Sequence, residues 1–174
     1  SLISPLPTQP FRGLVSYAGP VCFLYERCEP SYTVLRRMYA RLWCRLNTVR
    51  SASGCLPQLL RLVEDLLQAH APALSTRLRI IGAAPARLAA PWLQLGFVGL
   101  LEADQVLALW DRLLAWGGRL ELLAALAAAV LVFKGEALAA AADAAEVRDL
   151  LADGSRLRVV PLLQAFLFPD SVAA

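Results

Sequence analysis

Apolar residues recur along most of this chain at the spacing of buried helix faces, and turn residues punctuate them. Beyond Pro30, Leu35, Met38, Tyr39, Leu42, Trp43 and Leu46 fall at i, i+3, i+4, i+7, i+8 and i+11. That period predicts one amphipathic helix with Ser31 as its N-cap. Its other face carries Arg37, Arg41 and Arg45, with Arg36 and Arg50 nearby. Pro57 opens a second helix with Leu59, Leu62, Val63, Leu66 and Leu67 as its inner stripe and His70 at its end. Pro72 starts a third, with Leu74, Leu78 and Ile81 on one face and Gly82 as the stop. Pro85 starts a fourth that leads to Trp92, and Pro91 inside it predicts a kink or a later true start.

The stretch from Pro91 to Gly118 has the greatest aromatic bulk, with Trp92, Trp110 and Trp116. Asp104 is the expected cap of its helix, and Val106, Leu109, Trp110 and Leu113 are the expected buried stripe. Gly117 and Gly118 end it. The segment from Leu120 to Phe133 is apolar nearly all round, which predicts a helix enclosed by its neighbours. Asp143 caps a further helix with Val147, Leu150 and Leu151, ended by Asp153-Gly154, and Pro161 to Phe168 is a last apolar piece before Pro169. At the other end, residues 1–10 read as irregular, and Tyr17 to Tyr25 is an apolar segment in which Pro20 suits a first helical turn. The pattern predicts an all-α fold of about eight or nine helices, one irregular domain, with no strand and no solenoid repeat.

Composition agrees. The 174 residues are 58% hydrophobic and 18% charged, enough for one domain with a real core. The longest apolar run, Leu122 to Phe133, spans 12 residues, short of the ~20 that a membrane span needs. Net charge is +3 and only Lys134 among the 17 basic residues is a lysine. So weak and dispersed an excess does not imply nucleic acid as a partner. Cys22, Cys28, Cys44 and Cys55 lack the spacing of a zinc site, and they read as thiols of a reducing cytosol. No signal-peptide pattern is seen. The missing initiator Met suggests a piece of a longer protein.

Chemistry is sparse. Neither a phosphate-binding G-x-x-x-x-G-K-[ST] nor a G-x-S-x-G nucleophile turn occurs. A single histidine limits acid–base schemes, and His70 suits a helix C-terminus. No metal or cofactor is expected, and the chain does not read as an enzyme in itself. Asp111, beside Trp110, is either a catalytic acid or a paired structural carboxylate that sets helix orientation. The Arg37–Arg41–Arg45 face is either solvated or a docking face for an acidic partner or anionic lipid heads.

Trp92, then Phe97, then Leu109-Trp110-Asp111, then Gly117-Gly118 before an apolar helix, resembles the C-terminal lobe of a TBC domain. These domains form an all-helical family of GTPase activators for Rab GTPases. The stretches HAPALSTRLRIIGAAPARLAAPW, DQVLALWDRLL and PLLQAFLF resemble its member-nineteen branch. The likeness runs from Phe11 to Phe168, which sets the expected helical domain at 11–168 with a tail at 169–174. It implies Trp92, Phe97, Trp110 and Asp111 as a structural signature.

The resemblance also implies a mechanism with two fingers. An arginine neutralises charge on the transferred phosphoryl group. A glutamine in a Y-x-Q-G segment orients the attacking water. The arginine motif does not occur in this sequence, and the chain begins after the point where it would stand. Pro10-Phe11-Arg12-Gly13, followed by Gly19-Pro20, stands where the glutamine segment would, so Arg12 occupies the glutamine position. Arg12, Gly13, Arg37, Arg41 and Arg45 are then the candidate contacts to a GTP-bound Rab GTPase. The alternative is a helical scaffold that binds a GTPase or another acidic partner without stimulating hydrolysis. Either implies a cytoplasmic protein, open to recruitment onto membranes or vesicles.

Overall fold

The computed structural model describes residues 13–47 and 54–168. Within them the chain forms ten α-helices and two 3-10 turns, with no strand. The helices are α1 (Ala18–Cys22), α2 (Cys28–Arg41), α3 (Leu56–His70), α4 (Pro72–Ile80), α5 (Pro85–Gln94), α6 (Ala103–Ala115), α7 (Glu121–Phe133), α8 (Gly135–Ala140), α9 (Ala144–Ala152) and α10 (Val159–Leu167). The 3-10 turns are Leu14–Tyr17 and Trp43–Leu46.

Helix α7 is the axis. Every residue from Leu122 to Leu131 is buried, because α3, α5, α8 and α10 pack around it. Its alanines, Ala124, Ala125, Ala127, Ala128 and Ala129, keep the helix thin enough for neighbours to close in on several sides. Helix α3 supplies the next layer through Leu59, Val63 and Leu67. Helix α10 closes the far side, where Phe166 meets Ala128 and Ala129.

Glycines set three helix ends by one device. Helices α4, α5 and α6 each finish on a left-handed glycine: Gly82, Gly96 and Gly117. The next amide reaches back to a carbonyl five residues earlier: Ala83 to Leu78 at 2.8 Å, Phe97 to Trp92 at 2.7 Å and Gly118 to Leu113 at 2.8 Å. This satisfies carbonyls the helix leaves open and turns the chain sharply. Phe97 itself takes φ 68°, a conformation that side chains seldom adopt, and its buried ring repays it.

Several expectations need correction. Ser31 does not cap α2, which begins at Cys28; the Ser31 hydroxyl donates to the Arg27 carbonyl (3.0 Å) inside the helix. Nor does the arginine-bearing helix run through Arg45. It ends at Arg41, and Trp43–Leu46 tightens into a 3-10 turn. Tertiary partners override the period there. Asn47 Nδ2 bonds the Trp43 carbonyl (3.0 Å), and Arg45 Nη1 bonds the Gly118 carbonyl (3.3 Å). Asp104 is not the cap of α6; Glu102 stands at that position, and Asp104 sits in the first turn. Helix α5 runs unbroken through Pro91, so it has no later start.

The aromatic stretch also differs. Trp110 and Phe97 are in the core and Trp92 is half-buried, but Trp116 is 51% exposed beyond the end of α6. Asp111 is exposed too. One residue after Trp110 is about 100° around the helix, which takes it off the stripe of Val106, Leu109, Trp110 and Leu113. It therefore has no core charge to neutralise. Asp143 does cap α9, accepting from the Ala145 and Glu146 amides at 2.8 and 2.9 Å. Those bonds lower the Asp143 carboxyl pKa.

Candidate functional site

The segment that follows the expected finger position is tied firmly into the core. Gly13 takes φ 110°, a left-handed conformation that costs glycine little, and turns the chain into the first 3-10 turn. The turn delivers Tyr17, fully buried, onto the Trp43 ring, stacked at 5.0 Å and 13°. Trp43 in turn lies 5.0 Å from Trp110. The Tyr17 hydroxyl donates to the Gln94 carbonyl at the end of α5. Asn47 bridges to the same place, its Oδ1 accepting from Gln94 Nε2 at 3.3 Å. Trp110 Nε1 donates to the Gly96 carbonyl at 3.0 Å. Burial pushes the Tyr17 phenol up to about 12, with the Asn47 contact opposing it.

Ring stacking on Trp43 and one hydrogen bond to α5 thus fasten the residues after Gly13, and two further bonds tie Asn47 and Trp110 to the end of the same helix. A side chain at Gly96 would meet Trp43 and Trp110 at 3.1–3.2 Å, so the close ring packing depends on that glycine. Arg12, the candidate finger residue, lies outside the described residues, as does Arg50.

The surface of α1 and α2 is largely apolar, with charges of both signs, Glu26 and Arg27 among those lining its groove. Phe23 is 77% exposed and Tyr32 66%, with Leu24 and Tyr25 between them in sequence also exposed. A groove of about 490 Å³ runs between α1 and α2 past Val21, Tyr25 and Tyr32. A second, of about 330 Å³, is lined by Tyr32, Arg36 and Arg37. Arg37 and Arg41 are exposed on α2. Arg45 does not join them: it is half-buried and engaged with Gly118, so it braces the fold.

The exposed aromatics escaped the sequence reading, which counted Tyr17 to Tyr25 simply as apolar. A signal for Tyr32 was present: it sits at i−4 from Arg36, on the polar side of the helix stripe. Cys22 and Cys28 are exposed free thiols, Cys44 is half-buried and Cys55 is buried. The His70 ring lies 4.3 Å from Phe166, an aromatic contact at the end of α3. Among the described residues no His, Cys, Asp or Glu cluster could hold a metal ion, and no helix is long and apolar enough to cross a membrane.

Residues 11–138 match the model of the Rab-GTPase-TBC domain. The chain belongs to this family. It is also 43% identical over 159 residues to the human protein TBC1 domain family member 19. That alignment covers 91% of this chain and 30% of the relative, so the chain spans under a third of that protein's length. No solved structure matches. The family match begins beside Arg12 and ends within α8; helices α9 and α10 of this TBC chain lie beyond it.

Proposed function

We propose that this TBC domain, taken as residues 11–168 with short flanking segments, regulates GTP-bound Rab-family GTPases and is atypical as a catalyst. The reading is supported by the sequence Arg12-Gly13, which the resemblance puts at the glutamine-finger position and which lies at the start of the family match, ahead of the anchored Tyr17 in the chain. A glutamine side chain has both a donor and an acceptor, so its carbonyl can orient an attacking water. A guanidinium only donates. Arg12 can therefore draw phosphate charge toward the domain, but it cannot replace the amide in placing the water. Function on the cytoplasmic face of membranes or vesicles goes with this reading.

The test is single-turnover GTP hydrolysis by a panel of Rab GTPases, with and without this chain. Binding to the GTP-loaded form with less than about tenfold acceleration is expected, against the 10³–10⁵ that an arginine finger supplies. Acceleration of a hundredfold or more by the unaltered chain would overturn the atypical assignment. A chain that binds no GTP-loaded Rab would overturn the GTPase reading as a whole.

A second reading is supported by the exposed Arg36, Arg37 and Arg41 on the helix that also exposes Tyr32. On it, the domain is a helical scaffold for an acidic partner other than a GTPase. Reversing Arg37 and Arg41 together to glutamate should then remove that partner from pull-downs while the helical circular dichroism stays unchanged. Arg45 is left intact because its bond to Gly118 belongs to the fold.

A further inference from the structure

A cleft of about 240 Å³ opens between α5 and α9, lined by none of Tyr17, Trp43 and Trp110. Its apolar lining includes Leu88, the half-buried Trp92 and the buried Leu151. Arg87 from α5 and Arg148 from α9 also line it, both exposed, and no acidic residue does. The α9 wall lies outside the family-matched residues, so the cleft is not built from the shared part of the domain alone.

The two guanidiniums have no carboxylate of their own. Neither forms an ion pair or a side-chain hydrogen bond among the described residues. The sequence explains why. Helical neighbours face one another at i±3 and i±4. For Arg87 these positions hold Ala83, Ala84, Ala90 and Pro91; for Arg148 they hold Ala144, Ala145, Leu151 and Ala152. Arg148 does act on Asp143, but that carboxylate is already bonded to the α9 amides. Pro91 has no N–H, so the carbonyl of Arg87 also lacks its i+4 donor.

Size narrows the occupant. Whole small-molecule sites usually measure about 300–1,000 Å³; this cleft holds roughly one large side chain. We propose that it binds an acidic peptide segment of a partner protein. One aromatic or large aliphatic side chain enters between Leu88, Trp92 and Leu151, and flanking carboxylates pair with Arg87 and Arg148.

The test uses a labelled pentapeptide with phenylalanine at its centre and aspartate or glutamate at the other four positions. Fluorescence anisotropy at low salt, with the chain titrated into the millimolar range, should give a Kd on the order of 1 mM, in keeping with one buried anchor and two exposed ion pairs. Binding should fall at least tenfold when the central residue is alanine. It should fall similarly in Arg87→Glu/Arg148→Glu, and in Ala152→Trp, which fills the rim and keeps both charges. All three substituted positions are exposed, so the circular dichroism and melting midpoint should stay near those of the parent. The proposal fails if the parent does not bind the peptide, or if the phenylalanine and alanine peptides bind equally, which would mean general charge attraction. It also fails if phosphatidylserine vesicles bind in preference to the peptide and lose binding on the same charge reversal, since the arginines would then serve a lipid surface.

Discussion

At the scale of single residues, Tyr17 and Trp110 matter most. Tyr17 joins the first described residues of the chain, next to the expected finger position, to α5 through a buried phenol. Its pKa is raised from 10.0 to about 12, so the folded state favours the protonated form. The linked stability is fully present below pH 10 and is lost as pH rises through 12. A shift of that size corresponds to roughly 2–3 kcal/mol. Urea melts of the parent and of Tyr17→Phe, run at pH 8 and again at pH 11.5, should therefore differ most at the lower pH and converge at the higher one. A gap that stays constant with pH would mean that the phenol has the same pKa in the folded and unfolded chain. Trp110→Ala removes a ring packed on Trp43 and a hydrogen bond to Gly96. It should destabilise the domain by about 3–5 kcal/mol in chemical denaturation. Asp111→Asn, one residue on but exposed, should change stability by less than about 0.5 kcal/mol.

Helices and their ends decide which expectations held. The stripes of α3 and α6 were legible because burial there follows the 3.6-residue period, and α7 was legible because it is apolar all round. The Asp143 cap was legible because its bonds are local. The break in α2 was not. Leu42, Trp43 and Leu46 keep helical spacing, yet the chain tightens so that Trp43 can meet Tyr17 and Trp110, rings far away in sequence. The arginine face was overcounted for the same reason, with Arg45 turned inward. Gly154 is another position where sequence alone misleads. It reads as the stop of α9, but a Cβ there would stand 1.8 Å from the Leu100 carbonyl oxygen. The glycine lets two backbones touch. Gly154→Ala must push the loop before α6 away from the end of α9, at about 1–3 kcal/mol. A lowered melting midpoint with unchanged helical content is the expected result.

Over the whole molecule, the family match and the physical domain do not coincide. The match ends at residue 138, within α8. Yet α7, the axis, is covered on one side by α10. Val147 and Leu151 of α9, and Val159, Leu163 and Phe166 of α10, are all buried in the core or against α7. Burying each such side chain contributes about 1.5–3 kcal/mol. Five of them together rival the whole ~5–15 kcal/mol that holds a domain folded. A chain cut after residue 138 would leave Ala128, Ala129 and their neighbours facing water. It should lose its cooperative thermal transition and bind a hydrophobic dye strongly, while the 174-residue chain does neither. A truncated chain that still melted cooperatively would mean that the family-matched helices are self-sufficient, with α9 and α10 an appended layer.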